Sequence, residues 1–403
     1  MQLNLFAISE PLSKPAITVT ELFEAYISCR SNKRNTYNAL AFETDYESNL
    51  IKLSEEINNG TYQPGKSIAF IVNKPIKREI FAADFRDRVV HHLIISKLNP
   101  LFEKKFIYDS YACREGKGTH FGIQRLDSFI RKCSQNYTKD CYVLKLDIQG
   151  FFMHINKNIL YQKLQQFIRD KYTATDKELI IKLCHIVIFN KPVANCIIKG
   201  KRSNWDGLPH DKSLFHSPPD FGLPIGNLTS QIFANFYMNP FDHFVKHDLG
   251  IKYYCRYVDD FVLVHPDKNF LKSLIPVIKA HLAKELCLLL HPKKIYLQHF
   301  SKGVKFLGAV IKPHRIYTAN RTKGNFYHAI EKQNKIVRNH KPTREEQKDF
   351  LSSMNSYLGI MKHYKTYRLR KRMIFKNLSA WWWNYVYIVK HDKFVMKQKY
   401  EKK

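Results

Sequence analysis

Two adjacent carboxylates sit inside an apolar stretch. Asp259 and Asp260 lie in Cys255-Arg256-Tyr257-Val258-Asp259-Asp260-Phe261-Val262-Leu263-Val264, with an apolar run on each side. Residues 253–258 read as one short strand and 261–264 as a second, so the pair is expected at the tight turn of a hairpin. Carboxylates held this close repel one another, and burial adds a desolvation cost. A divalent cation, which prefers hard oxygen ligands, offsets both. Asp is also a common turn residue, and a solvated Asp-Asp turn is the ordinary alternative.

A third carboxylate has a similar setting. Residues 141–147 (Cys-Tyr-Val-Leu-Lys-Leu-Asp) read as a strand ending on Asp147, followed by Gly150, Phe151 and Phe152. A strand's C-terminal end at the edge of a buried sheet is a good place for a metal ligand. Asp147 precedes Asp259 by 112 residues, so only tertiary folding can bring the two together. Side by side, the three carboxylates can hold two Mg²⁺ about 4 Å apart, an arrangement that activates a 3′-hydroxyl and stabilises departing pyrophosphate.

The elements that must position these groups are mixed. At 403 residues the chain can form two or three domains, and 44% hydrophobic and 14% aromatic content support a substantial core. There are 66 Lys and Arg against 35 Asp and Glu, a net charge of +31 that solubility does not require. Such an excess implies a polyanionic partner, most simply nucleic acid, with a membrane surface as the alternative. No apolar run approaches the ~18 residues of a spanning helix. The opening Met1-Gln2-Leu3-Asn4-Leu5-Phe6 lacks a signal-peptide pattern, so a cytoplasmic protein without a membrane partner is expected. The eight cysteines contain no Cys-x-x-Cys and read as reduced, mostly buried thiols.

In chain order, residues 18–27 and 44–57 carry helical apolar spacing and 67–73 is strand-like. The basic turn Lys74-Pro75-Ile76-Lys77-Arg78 follows. Lys77 and Arg78 can clamp a triphosphate, or be a solvated turn. Residues 86–105 read as a helix, and a Gly-rich basic loop (109–120) opens another over 121–133. Residues 157–190 are helical. Pro and Gly then interrupt 190–221, an inserted loop in which 195–202 is expected to form a hairpin strand. Gly222-Leu223-Pro224-Ile225-Gly226-Asn227-Leu228-Thr229-Ser230-Gln231 leads into a helix with apolar Ile232 and Phe233, suited to substrate approach or simply to capping that helix. Beyond an amphipathic helix at 270–287 come the turn His291-Pro292-Lys293-Lys294 and a strand over 305–311 with a central Gly308. Residues 321–403 hold 21 Lys and Arg against 6 Asp and Glu, about half the net charge in a fifth of the length. Tyr357, Tyr364, Tyr367, Trp381, Trp382, Trp383 and Tyr385 are interleaved there, a mixture that suits nucleic-acid grooves, although a Trp run also suits a core.

This ordered set of motifs closely resembles the reverse transcriptase family from about residue 40 to 315. Tyr257-Val258-Asp259-Asp260 matches its YxDD box, and Asp147 with Phe152 five residues on matches its first catalytic motif. Lys77-Arg78 matches the fingers motif, His291-Pro292-Lys293-Lys294 the following lysine motif, and Phe306-Leu307-Gly308 the primer grip. The resemblance implies an α+β, right-hand polymerase fold with a helical thumb and a palm of antiparallel sheet and helices. Its expected divisions are an N-terminal helical extension of the fingers (1–65), fingers (66–140), palm (141–312, with the inserted loop 190–221) and basic thumb (313–403). It implies Asp147, Asp259 and Asp260 as catalytic metal ligands, joined by the Ile148 carbonyl, for two Mg²⁺ or Mn²⁺ ions. Lys77 and Arg78 would hold the triphosphate, Phe152 would exclude a 2′-hydroxyl, and Lys294 would lie near pyrophosphate. Implied partners are an RNA template, a DNA or RNA primer, dNTPs and the cDNA product.

Many members have Gln-Gly before the palm helix and Ser-Pro after it; here Ile225-Gly226 and Ser230-Gln231 stand instead. That phrase is similar to reverse transcriptases of diversity-generating retroelements and to unassigned bacterial groups, several of them antiphage. No ribonuclease H-like domain or His/Cys-rich nuclease motif is expected, which points to a dedicated non-coding RNA and an accessory protein. The competing readings are an RNA-binding, maturase-like protein with a vestigial polymerase site and an RNA-templated RNA polymerase, the second disfavoured by Phe152.

Overall fold

The structure, a computed structural model, describes residues 16–31, 36–73 and 76–397. Met1 to Phe6, and Lys74 and Pro75 of the basic turn, lie outside the described residues. Helix α1 (Val19–Arg30) starts on a capping box, with the Glu21 N–H donating to Thr18 Oγ1 at 3.2 Å and the Thr18 N–H to Glu21 Oε2 at 2.9 Å. Then come α2 (Tyr37–Glu43), α3 (Tyr46–Asn58), the antiparallel hairpin β1 (Ile68–Val72) and β2 (Arg78–Ala82), and α4 (Phe85–Lys105). Helix α5 (Thr119–Cys133) leads to β3 (Tyr142–Asp147), which ends on the expected aspartate. After α6 (Phe151–His154), α7 (Lys157–Lys171), α8 (Lys177–Phe189) and the two-residue β4 (Ile197–Ile198) comes α9 (Leu228–His243). The hairpin β5 (Tyr253–Tyr257) and β6 (Asp260–His265) precedes α10 (Lys268–Leu286). Four short strands follow, β7 (Tyr296–His299), β8 (Val304–Phe306), β9 (Ala309–Lys312) and β10 (Arg315–Thr318). The remainder is α11 (Asn320–Asn339), α12 (Arg344–Met361), α13 (Tyr367–Asn377) and the hairpin β11 (Val386–Val389) and β12 (Lys393–Met396). The class is α+β, as expected. Its sheets run β2-β1-β4, β5-β6-β3-β7, β10-β9-β8 and β11-β12. Among the described residues no helix is long and apolar enough to cross a membrane.

The described residues divide into two compact units: those within 1–114, 145–261 and 273–295 form one, and those within 115–144, 262–272 and 296–403 the other. The first is built around α9, which is buried on all sides, with Ile232, Phe233, Phe236, Tyr237 and Phe241 in the core. Such a helix belongs in the middle of a domain, since each large apolar side chain it buries contributes roughly 1.5–3 kcal/mol. Its buried polar residues include Asn235 and Asp242. They are seven residues apart, hence on one face. That face receives Arg256 of β5, which has no exposed surface. Arg256 Nε and Nη2 donate to the two Asp242 oxygens at 2.7 and 2.6 Å, and Nη1 donates to Asn235 Oδ1 at 3.2 Å. Tyr254 Oη also donates to Asp242, at 2.7 Å. The backbone of Arg256 pairs with the segment that follows α4: its N–H donates to the Asp109 carbonyl at 3.0 Å, and its carbonyl accepts from the Tyr111 N–H at 3.1 Å.

In the second unit, α11, α12 and α13 enclose Phe326, Phe350, Leu358, Met373, Trp382 and Phe394. Trp382 stacks on Phe350 with centroids 4.1 Å apart and donates to the Gln333 carbonyl at 3.0 Å, whereas Trp381 is 63% exposed. One member of the Trp run is therefore core and its neighbour is not.

Three local expectations need correction. Residues 195–202 form no hairpin strand: only Ile197 and Ile198 are extended, pairing parallel with Ile68 and Ala69, and the rest of the insertion is short 3₁₀ turns. Its prolines and glycines deny it a continuous ladder. Residues 305–311 are two strands, because Leu307 and Gly308 adopt φ of +47° and +84° and form the β8–β9 turn. The helix expected from Ile232 begins at Leu228, which places Gln231 inside its first turn. The β11–β12 hairpin was not expected, since its β-branched runs are short and flanked by basic residues.

Removing one member of a buried ion pair leaves the other charge unmatched, at a cost of about 3–5 kcal/mol. Arg256→Met should lower unfolding free energy by that amount in urea titrations, and Arg256→Met with Asp242→Leu should recover much of it. A single variant as stable as the parent would contradict this account of the core.

Candidate active site

The hairpin turn consists of Val258 and Asp259, one residue earlier than expected, because Asp260 already opens β6. Val258 has φ of +57°. A β-branched residue is an outlier there, where hairpins ordinarily use glycine or asparagine, and such strain costs of order 1–3 kcal/mol. Arg256 supplies a restraint, since its Nη1 donates to the Val258 carbonyl at 3.0 Å. The buried ion pair thus also shapes the turn that carries Asp259.

Asp147 comes from β3. The Gln149 N–H donates to the Leu289 carbonyl at 2.9 Å and the His291 N–H to the Asp147 carbonyl at 2.8 Å, with Ile148 opposite Leu290. This pairing brings the His291-to-Lys294 turn beside Asp147, and Lys294 Nζ donates to Asp147 Oδ1 at 2.8 Å. A second ammonium group, not anticipated from sequence, completes the cluster: Lys145 Nζ lies 3.2 Å from Asp260 Oδ1. The signal was present, because Lys145 is two residues before Asp147 and so shares its face of the strand. Asp147, Asp259 and Asp260 do come together. Loss of hydration, followed by the Asp147 and Asp260 carboxylates, pushes Asp259 from an ordinary 3.8 up to about 6. Asp260 is raised by burial, with Lys145 opposing the rise. Among the described residues Asp259 has no ion-pair partner of its own.

The other predicted residues fall into four groups. Phe152, Ile225 and Gly226 meet at β2. Phe152 and Ile225 pack on a cluster of Ala69, Phe81, Met153 and Leu214. The Ile225 carbonyl accepts from the Phe81 N–H at 2.8 Å, and the Phe152 carbonyl from the Leu223 N–H at 2.8 Å. Gly226 is required there: its φ is +123°, and a Cβ would stand 2.8 Å from Ile80 Cγ2. Lys77 and Arg78 lie at the start of β2, where Lys77 Nζ donates to the Asp206 carbonyl at 2.6 Å. Gln231 accepts from the Cys113 thiol at 2.9 Å. Phe306, Leu307 and Gly308 belong to the second unit, at the β8–β9 turn. Sequence reasoning missed Glu79, which is only 1% exposed. It accepts from Trp205 Nε1 at 2.6 Å, Ser213 Oγ at 2.7 Å and the Leu214 N–H at 2.6 Å. This one carboxylate pins the inserted loop to β2.

The family model for reverse transcriptase (RNA-dependent DNA polymerase) matches residues 74–311, well over half of the chain. The chain belongs to that family. It is 23% identical over 290 residues to Protein YkfC of Escherichia coli (strain K12), covering 64% of this chain and 69% of that one. It is 28% identical over 87 residues to Nuclear intron maturase 1, mitochondrial, of Arabidopsis thaliana, covering 22% and 11%. Among solved structures it is similar to telomerase of Candida albicans bound to a TWJ fragment of telomeric RNA, with 13% identity, a TM-score of 0.47, and coverage of 84% of this chain and 59% of that one. The reverse transcriptase thus spans about two thirds of YkfC but a small part of the maturase.

Reverse transcriptases use divalent metal ions. Three carboxylates form a hard-oxygen donor set, and their mutual repulsion calls for positive charge. Lys294 and Lys145 supply that charge as stand-ins on two of the three. Among the described residues no three such groups are arranged to hold an ion as they stand, and Asp147 and Asp260 each engage a lysine. The residues fit a metal chemically, provided that the lysines yield.

The raised Asp259 has a consequence for stability. Between its ordinary 3.8 and its folded value of about 6, the folded chain holds more protons than the unfolded chain, so the stability that goes with the neutral carboxyl is lost as pH rises through 6. In metal-free buffer Asp259→Asn should therefore raise the melting temperature by a few degrees at pH 7–8. The gain should shrink towards zero near pH 4, and a pH-independent gain would rule out this origin.

Proposed function

We propose that this reverse transcriptase synthesises cDNA on an RNA template with Asp147, Asp259 and Asp260 as its catalytic carboxylates. The observation that carries the reading is the convergence of these three groups, 112 residues apart in sequence, in one half-buried cluster whose electrostatics raise Asp259. The carboxylates, with the Ile148 carbonyl, would hold two Mg²⁺ or Mn²⁺ ions, which when bound supply activation of the primer 3′-hydroxyl and charge stabilisation of pyrophosphate. Lys294, whose ammonium group donates to Asp147, would also donate to the leaving pyrophosphate. Lys145 pairs with Asp260 and opposes the rise that burial gives that carboxyl. Lys77 and Arg78, at the start of β2, bind the triphosphate, Arg78 through a planar fork of donors. Phe152, braced against the Phe81 cluster with Ile225, forms a rigid wall under the deoxyribose.

Within that reading residues 66–140 act as fingers, 141–312 as palm and 313–403 as thumb, with Phe306, Leu307 and Gly308 gripping the primer. The partners are RNA template, primer, dNTPs, a dedicated non-coding RNA and an accessory protein. The Ile225-to-Gln231 phrase supports a setting in a diversity-generating retroelement or an antiphage system.

Primer extension on an RNA template tests the activity. Wild type should extend with dNTPs and Mg²⁺ and far less with rNTPs, and Asp259→Ala should lose at least 10³-fold in rate, the scale on which charge stabilisation is lost. No extension by wild type would favour an RNA-binding protein with a vestigial site.

Fidelity is a separate matter. Ile225 presents no amide near the incoming nucleotide, and we expect low base selectivity. Ile225→Gln should reduce misincorporation severalfold when products are sequenced; an unchanged error rate would remove Ile225 from the specificity account.

A further inference from the structure

The second unit contains a cavity of about 430 Å³ that shares no lining residue with the carboxylate site. It is walled by the end of α5 and the loop after it, the β9–β10 turn and the α12–α13 loop. Three exposed cations line it, Arg131, Arg315 and Lys365, against one carboxylate, Asp127. Asp127 is half-buried and accepts from the Tyr137 hydroxyl at 3.5 Å. Two half-buried tyrosines, Tyr137 and Tyr364, supply aromatic surface.

The walls are built at a conformational cost. Gln135, Asn136 and Tyr137 have φ of +47°, +63° and +70°, and His314 across the cavity has +61°. Left-handed backbone costs roughly 1–2 kcal/mol for each non-glycine residue, so a run of three persists only where its surroundings impose it. Here the Asn136 N–H donates to the Arg131 carbonyl at 2.8 Å and the Tyr137 N–H to Ser134 Oγ at 2.9 Å. Arg315 is held as well, donating to the Lys365 carbonyl at 3.2 Å. Strain of this kind concentrates where side chains must be presented to a ligand.

The volume suits a ligand of nucleotide size. Clustered guanidinium and ammonium groups select phosphate, and half-buried aromatics beside them select a base. We propose that this cavity seats one nucleotide of a single-stranded RNA segment, its phosphate against Arg131, Arg315 and Lys365 and its base against Tyr137 and Tyr364. The site is an anchor for RNA, additional to the polymerase assignment and independent of catalysis.

The test uses the full chain and a fluorescein-labelled, primer-free single-stranded RNA, with anisotropy read across a KCl series. Arg131→Ala with Lys365→Ala should weaken binding and flatten the salt dependence by about 0.7 in log Kd per log salt, the value of one lost single-strand phosphate contact. Tyr137→Leu and Tyr364→Leu should each weaken binding roughly tenfold. Asp259→Ala should bind as wild type does, which separates failure of this site from failure of the polymerase. Photocrosslinking of wild type to 5-iodouridine-substituted RNA should label the peptide containing Tyr137 or Tyr364, a readout that does not depend on any variant folding. Crosslinks absent from both peptides would overturn the proposal. So would a loss in the Arg131/Lys365 variant with none in the tyrosine variants, which would mean bare phosphate attraction. Displacement of the RNA by micromolar AMP would overturn it in favour of a free nucleotide.

Discussion

A fully buried arginine must have its donors matched, and in this reverse transcriptase that requirement organises the ground beneath the carboxylates. Arg256 satisfies it with both oxygens of Asp242, the side chain of Asn235 and the carbonyl of Val258. An unmatched buried charge costs several kcal/mol, so arrangements that separate β5 from α9 are strongly disfavoured. The same residue ties β5 to the Asp109–Tyr111 backbone. The turn that follows Arg256 inherits this rigidity. That explains how Val258, a residue ill suited to left-handed backbone, can be held there beside the aspartates.

On this base stands a cluster that works against folding. Three carboxylates compete for little solvent, and Asp259 is raised first by its loss of hydration and then by the other two carboxylates. Lys294 and Lys145 reduce that cost while remaining able to move, since one is half-exposed and the other about a quarter exposed. A permanent internal counter-charge would compete with any metal, and no counter-charge would leave the fold weaker. Movable ammonium groups lie between these extremes. The strained turn and the repelling carboxylates together fit the general pattern in which sites for chemistry are stabilised by their surroundings and not by themselves.

The inserted loop shows a different use of burial. Glu79 accepts three hydrogen bonds from residues 205–214, so an irregular segment rich in Pro and Gly gains a fixed attachment to β2. Gly226 allows the neighbouring loop to approach the same strand more closely than any side chain would permit. Two unlike devices thus build the surroundings of Phe152 and Ile225, one a buried carboxylate and the other the absence of a Cβ.

Much of this was legible in the order of residues. Apolar periodicity located α1, α3, α4, α5 and α10 to within a few residues, because amphipathic spacing is a local property. The strand ending on Asp147 and the hairpin around the YxDD box were legible for the same reason, and the ordered motifs named the family. Local pattern could not fix the turn to Val258–Asp259, divide 305–311 at Leu307–Gly308, or predict the β11–β12 hairpin, since a one-residue shift or a short strand is decided by pairing partners elsewhere in the chain. Nor could it find Glu79, whose partners are more than a hundred residues away. The sequence by itself determined which chemical groups are available and, through family membership, the class of reaction they serve. Only the tertiary structure decided that Lys145 meets Asp260, that Lys294 meets Asp147, and that Arg256 underlies the turn, because charges and hydrogen-bond donors act through space and must be matched wherever folding buries them.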